Sequence, residues 1–311
     1  MRKGQYQFVA GFLFVPVALY LVFVIWPYIQ TFGYSLTDWK GQSQEFSFVG
    51  LDNYVALFKD DIFLRAIWHN ILFLVFIPVL TILLALFFAF MVNAGGRSRA
   101  GGVSGVTGAG FYKIVYFFPQ VLSLAILSVL FGAVYRSDTG GMLNGLLEKL
   151  GLVDAGKPVE WLNEPNFVLW ALIAVVVWHG VGFYLVLFSA AMQSIPRDIY
   201  EAALIDGAGR AQSFFKITLP LLWDSVQTAW VYLGIVAMDM FILVSTMTGP
   251  GGEFGGGPDH ASETMSTVLM RNFLIYGKSG YACAMGVIML LLTLILSAVT
   301  LRASRRERIE F

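Results

Sequence analysis

Six stretches of this chain are almost uninterruptedly apolar: 8–29, 70–92, 114–135, 166–189, 223–247 and 281–301. A helix of about 20 apolar residues crosses about 30 Å of hydrocarbon. Within lipid, every backbone N–H and C=O must find its partner inside the protein. The chain therefore reads as an all-α polytopic membrane protein with six transmembrane helices. Composition points the same way. Of 311 residues, 58% are hydrophobic and 13% charged, against about 25% charged in an average soluble domain. This excludes a soluble enzyme, a nucleic-acid binder and a disordered chain. Basic and acidic residues balance at 20 each, so no net charge draws a polyanion. Cys283 is the single cysteine. It excludes an internal disulfide and reads as a small packing residue.

Arg2 and Lys3 precede the first stretch, as in a signal peptide, but it is too long for a signal core and no small-x-small cleavage site follows. It ends in Trp26-Pro27-Tyr28, an aromatic interfacial belt, and reads as a retained helix. Twelve of the 20 basic residues fall on the face that carries both termini and the second and fourth connections. They include Arg97, Arg99, Lys113, Arg197, Arg210 and Lys216. The longer connections 30–69, 136–165 and 248–280 carry the other eight, together with 13 acids. The positive-inside rule predicts an N-in/C-in topology. The expected organisation is a cytoplasmic N-terminus over 1–7, a transmembrane domain over 8–301, and a basic cytoplasmic tail over 302–311. The long outer connections suggest a docking surface, and the Gly/Ser-rich segment 94–110 reads as a flexible linker.

No catalytic constellation is visible. His69, His179 and His260 are far apart, with no HExxH pair or other close metal-ligand spacing. Asp259, His260 and Glu263 cluster in a Gly/Pro-rich outer connection and read as a hydrated loop rather than a metal site. Gly277-Lys278-Ser279 resembles the end of a phosphate-binding loop, but the required first glycine is Asn272. The chain is expected to be no enzyme and to bind no cofactor or metal of its own.

The connection 195–220 is the informative one. Pro196 can open a helix, and Asp198 and Glu201 suit its positive end. Residues 197–206 are good helix formers. Gly207 and Gly209 stop them and permit left-handed backbone angles. A second short helix at about 211–217 precedes Pro220. Two short helices about a glycine turn make a compact knob suited to a partner's groove.

The spacing Glu201-Ala202-Ala203, Asp206-Gly207-Ala208-Gly209, then Ile217-x-Leu219-Pro220 closely resembles the EAA loop of permease subunits of binding-protein-dependent ABC importers. The chain is similar to the sugar-uptake branch, of MalF/UgpA-like type. Trp26-Pro27-x5-Gly33-Tyr34-Ser35-Leu36-Thr37-Asp38, Phe48-x-Gly50-Leu51-Asp52-Asn53-Tyr54, and Asp61-x-Phe63 leading into Asn70 extend the likeness. It covers nearly all of the chain after residue 10. The departures are the long 94–110 segment and Asn70-Ile71, where the family often has Asn-Thr. The resemblance implies a MetI-like type I importer architecture in the bacterial cell membrane. It implies a second permease subunit, two ATPase subunits that carry ATP and Mg, and an extracytoplasmic sugar-binding protein. Glu201, Ala202, Ala203, Asp206, Gly207, Gly209, Leu219 and Pro220 would form the ATPase-coupling loop. Glu201 would cap or pair at that contact, and Asp206 would cap or brace the turn.

Substrate-pathway candidates lie in two stretches. Trp178, His179, Gly180 and Phe183 combine aromatic faces with glycines. Leu233, Val236, Ala237, Asp239 and Met240 surround Asp239, the one acid near the middle of any stretch. An intramembrane ionisable group is a functional candidate because lipid penalises it. Apart from Trp178 and Asp239, these positions are those that the resemblance to maltose-type permeases implies. The family's hydrogen-bonding side chains are replaced here by Ala237 and Met240, so Asp239 or His179 would have to supply polar contacts. The alternatives for these two are a helix–helix hydrogen bond for His179 and interhelical bracing for Asp239. The competing reading of the whole chain is a secondary solute transporter, which would usually show inverted repeats and broken helices. No clear internal repeat is present.

Overall fold

The computed structural model describes residues 3–43, 45–94, 105–138, 140–154, 156–249 and 254–303. Most of the Gly/Ser-rich segment (95–104) lies outside the described residues, as do Arg2, Arg97, Arg99 and the tail from 304 with Arg305, Arg306 and Arg308. The chain forms two compact units, Met1–Leu64 with Val268–Leu292 and Arg65–Thr267 with Thr293–Phe311.

In the first unit, α1 (Lys3–Tyr20) runs through a wide π-helical turn, Leu21–Ile25, into α2 (Trp26–Ser35). Tyr20 and Trp26 keep helical angles, so this is one rod. Pro27 lacks the N–H that a regular ladder would use, and Trp26 N–H instead reaches Leu21 O at the wide turn. The helix thus outruns the expected 8–29 by about a turn and a half at each end. The most apolar stretch within Gly11–Ser35 holds no residue buried by the chain itself, whereas Ser35 at its end is buried. The Gly50–Tyr54 motif closes its end. Asn53 Nδ2 donates to the carbonyls of Ser35 and Thr37, both at 2.8 Å, and the hydroxyls of Ser35 and Tyr54 pair at 2.8 Å. A short helix, α3 (Asp52–Leu57), leads to Asp60. Asp60 Oδ1 caps the start of α4 (Asp61–Ala94) by accepting from the N–H of Ile62 and Phe63. Its Oδ2 accepts from the Tyr281 hydroxyl at 2.8 Å.

The second unit holds most of α4 and the following elements: α5 (Ala109–Val121), α6 (Leu124–Val134), α7 (Met142–Lys149), α8 (Pro165–Gln193), α9 (Arg197–Ile205), α10 (Arg210–Ser213), α11 (Leu219–Leu221), α12 (Trp223–Met238) and α13 (Phe241–Thr248). Then α14 (Met265–Leu274) and α15 (Ser279–Ala303) cross between the units. The core gathers around α8, whose window is 61% buried. Leu172, Ile173, Leu185 and Phe188 of α8 pack in one cluster with Phe73 and Ile77 of α4 and Leu233 of α12. A helix apolar all round belongs in such a centre. The closest approach is at Gly182, where a Cβ would collide with the Tyr116 carbonyl and Phe117 of α5.

Among the described residues, four helices are long and apolar enough to cross a membrane unbroken: Gly11–Ser35, Asp61–Asn93, Pro165–Gln193 and Ser279–Thr300. The other two expected stretches are interrupted, a feature on which the sequence reading made no statement. Across 114–135, α5 and α6 meet at 95°, with Leu122 and Ser123 extended. Pro119 weakens the last turn of α5, and the Ser123 hydroxyl restarts α6 by accepting from Ile126 N–H. Across 223–247 the helix ends at Asp239 (φ −112, ψ 80) and resumes after Met240. A further bend of 67° separates Arg210–Leu221 from Trp223–Met238. With each bent pair taken as one span, the total reaches six. The two distal pieces, α6 and α13, pack against one another.

The tight crossing at Gly182 gives a direct test. Gly182→Ala should cost about 1–3 kcal/mol through overpacking and lower the melting temperature in detergent. Gly132→Ala in α6, where a Cβ meets nothing within 4 Å, should leave it unchanged. Equal effects would contradict this packing.

Candidate functional site

The segment 195–220 folds as a knob. Pro196 is the residue just before α9 rather than its first helical one. The helix ends in a Schellman motif. Gly207 N–H reaches Leu204 O at 3.0 Å and Ala208 N–H reaches Ala203 O at 2.9 Å. This geometry places Gly207 in the left-handed region at φ +78. Gly209 does not share it: it is extended (φ −71, ψ 165) at the start of α10. Both glycines permit left-handed angles, but only Gly207 takes them, because one such residue already closes the motif. The expected second helix is α10, a π-helical turn at Phe214–Thr218, and α11.

The knob is tied to its base by Tyr200, whose hydroxyl pairs with Thr218 Oγ1 at 3.0 Å. Burial pushes the Tyr200 phenol up despite the opposing Thr218 bond, so it remains protonated at neutral pH. Ala203 is buried, while Glu201, Ala202, Asp206, Gly207, Gly209 and Pro220 are exposed and Leu219 is half-buried. Asp206 ends α9 through its backbone N–H on Ala202 O. Ile205 is 87% exposed and Phe215 65% exposed. Two large, exposed apolar side chains, one of them next to the exposed Asp206, mark a surface that the chain itself leaves uncovered. The spacing found the motif, but nothing in it singled out Ile205 or Phe215.

The pathway candidates divide by burial. Gly180, Leu233, Ala237 and Met240 face the chain's own interior, and Gly180 packs near the Thr81 methyl of α4. Trp178, Phe183, Val236 and Asp239 are exposed. Along α12 and just past its end, Thr228, Tyr232, Val236 and Asp239 are all exposed at spacings of three or four residues, so they share one face. Thr228 and Tyr232 were not singled out in the sequence, although their spacing from Asp239 is visible there.

His179 is half-buried in α8 and its Nε2 lies 3.3 Å from the Leu122 carbonyl. A carbonyl only accepts, so Nε2 carries the proton. His179 therefore sits on the α5–α6 break. Asn70, which the motif ends on but to which the sequence assigned no role, sits on the other break. Its Nδ2 donates to Ala237 O at 3.0 Å and Met238 O at 3.4 Å, and its Oδ1 accepts from Met265 N–H at 2.9 Å. The Asp259–Glu263 cluster also differs from a hydrated loop. Glu263 is fully buried, with Oε1 2.9 Å from His260 Nδ1 and Oε2 accepting from Thr267 Oγ1 at 2.7 Å. Polar partners within the fold allow burial of that carboxylate.

The two knob glycines should separate by conformation. Gly207→Ala should destabilise by about 1–2 kcal/mol because of its left-handed angles, and raise amide exchange over 197–208. Gly209→Ala should leave the isolated chain's exchange unchanged. The reverse order would contradict the motif.

Comparison with known proteins gives a consistent picture. Residues 54–309 match the family described as binding-protein-dependent transport system inner membrane component. The diacetylchitobiose uptake system permease protein NgcF of Streptomyces coelicolor is 42% identical over 96% of this chain and 82% of its own length. The lactose transport system permease protein LacF of Rhizobium radiobacter is 29% identical over 98% of this chain and 97% of its own. A bacterial ABC transporter that imports the acidic polysaccharide alginate contains a chain of the same fold, with a TM-score of 0.79 and 22% identity, covering 99% of this chain and 98% of that one.

Proposed function

This chain belongs to the family of binding-protein-dependent transport system inner membrane components, and on that premise we propose how it works. It is a multi-pass permease subunit of an ABC importer that moves a sugar across the cell membrane. A short oligosaccharide is the substrate class, with diacetylchitobiose the first to test, given the 42% identity to a permease named for that sugar. The topology is N-in/C-in, with 1–7 and 302–311 in the cytoplasm and the permease domain between them. A second permease completes the pathway, two ATPase subunits bind ATP and Mg, and an extracytoplasmic protein delivers the sugar.

The observation that carries this reading is the knob. Its exposed Glu201 and Ala202, its left-handed Gly207 and its uncovered Ile205 and Phe215 present a compact surface on the face rich in basic residues. An ATPase groove that covers Ile205 and Phe215 removes their apolar area from water. Closure of the ATPase pair then pulls the knob, and through α9 and the Tyr200–Thr218 tie the helical bundle moves between its two openings. On the pathway side, the exposed α12 face is the natural lining. Asp239 on a lipid-facing surface would be costly, whereas in a water-filled pathway or against the sister subunit it is solvated or paired.

Two outcomes test this. A tagged chain purified gently from its native membrane should bring along an ATPase and a second permease. Gly209→Asp fits within this chain, since a Cβ there meets nothing within 4 Å, so it should insert and fold yet lose the ATPase and abolish uptake. Wild-type uptake in that variant would overturn the coupling assignment. Asp239→Ala should change apparent sugar affinity or complex yield. If neither moves, Asp239 takes no part in the pathway.

A further inference from the structure

Asn70 joins three elements with one side chain. It lies in α4 and is 1% exposed. Its amide nitrogen donates to the carbonyls of Ala237 and Met238, the last residues of α12, while its oxygen holds the N–H of Met265, the first residue of α14. The last carbonyls of a helix have no partner in that helix, and at Asp239 the chain leaves helical geometry. Asn70 therefore satisfies the carbonyls that the break sets free.

The same end of α4 holds the loop before α14. Arg65 donates to Asp259 O at 2.7 Å, and His69 Nδ1 lies 2.8 Å from Glu263 O. Asp259 and His260 take positive φ values of 49 and 61, uncommon for residues with a Cβ. The loop is thus held in a sparsely populated conformation, and Asn70 is the member of this set that also bonds to the α12 break.

We propose that Asn70 is a positioning residue that couples the loop 254–267 to the α12–α13 break, so that a protein docked on the outer face is felt beside Asp239. The inference rests on the permease reading above, which supplies the outer face and the docking protein. Displacement of the loop moves Met265 N–H, turns the Asn70 amide and withdraws its donors from Ala237 and Met238. Carbonyls released in a water-poor bundle must find new partners, so the break rearranges. That is a linkage between two sites through one physical element with two arrangements.

The test is amide hydrogen exchange on the full complex in lipid nanodiscs, with and without the sugar-loaded binding protein, in the wild type and in Asn70→Asp. Aspartate keeps the size and the acceptor and replaces the two N–H donors by none when ionised, or by a single O–H when protonated, so it cannot hold both carbonyls as the amide does. In the wild type, docking should alter exchange in 254–267 and also in 237–248. In Asn70→Asp the loop should still respond while 237–248 does not. The ratio of stimulated to unstimulated ATP hydrolysis should fall by about fivefold or more, the lower end of typical couplings. A wild-type response confined to 254–267, or a variant that transmits as well as the wild type, would overturn the proposal. If Asn70→Asp fails to assemble, the wild-type pattern alone decides. No response in either segment would overturn the docking reading beneath it, which separates the two failures.

Discussion

A carbonyl that loses its helical partner inside a membrane has no water to turn to, and this chain breaks two of its apolar stretches. Each break is answered by one polar side chain from an unbroken helix. His179 of α8 meets the Leu122 carbonyl, and Asn70 of α4 meets those of Ala237 and Met238. The distal pieces α6 and α13 pack together, while α5 and α12 pack on the central α8. The breaks thus separate a proximal layer built on α8 from a distal pair, and the two bracing residues hold the joints.

The other end of the same unit is built differently. The knob at 195–220 depends on a backbone motif, the Schellman turn at Gly207, and on one side-chain tie, Tyr200 to Thr218. Its outward surface is apolar at Ile205 and Phe215 and acidic at Glu201 and Asp206.

Much of this was legible in the sequence. Hydropathy located all six stretches, and the EAA spacing located the knob with α9 nearly to the residue. What the sequence concealed is of one kind. The breaks at Leu122–Ser123 and Asp239–Met240 fall within apolar runs, and their braces come from 57 and 167 residues away, so no local pattern announces them. Gly207 and Gly209 look equivalent in a motif, and only the closing hydrogen bonds decide which one turns left-handed. Glu263 read as hydrated because its neighbours are Gly- and Pro-rich. It is buried because His260 and Thr267 satisfy its carboxylate. Asp239 stood out as a lone mid-span acid, and the structure places it where a helix ends, exposed on the same face as Tyr232 and Thr228.

The most direct measurement is sugar uptake into proteoliposomes, with the chain reconstituted alone or with its sister permease, ATPase and loaded binding protein. The account predicts uptake of diacetylchitobiose or a related oligosaccharide only in the full assembly, only with ATP at the ATPase face, and none from the chain alone under an ion gradient. Uptake by the chain alone, driven by a gradient and indifferent to ATP, would contradict it and make the protein a secondary transporter.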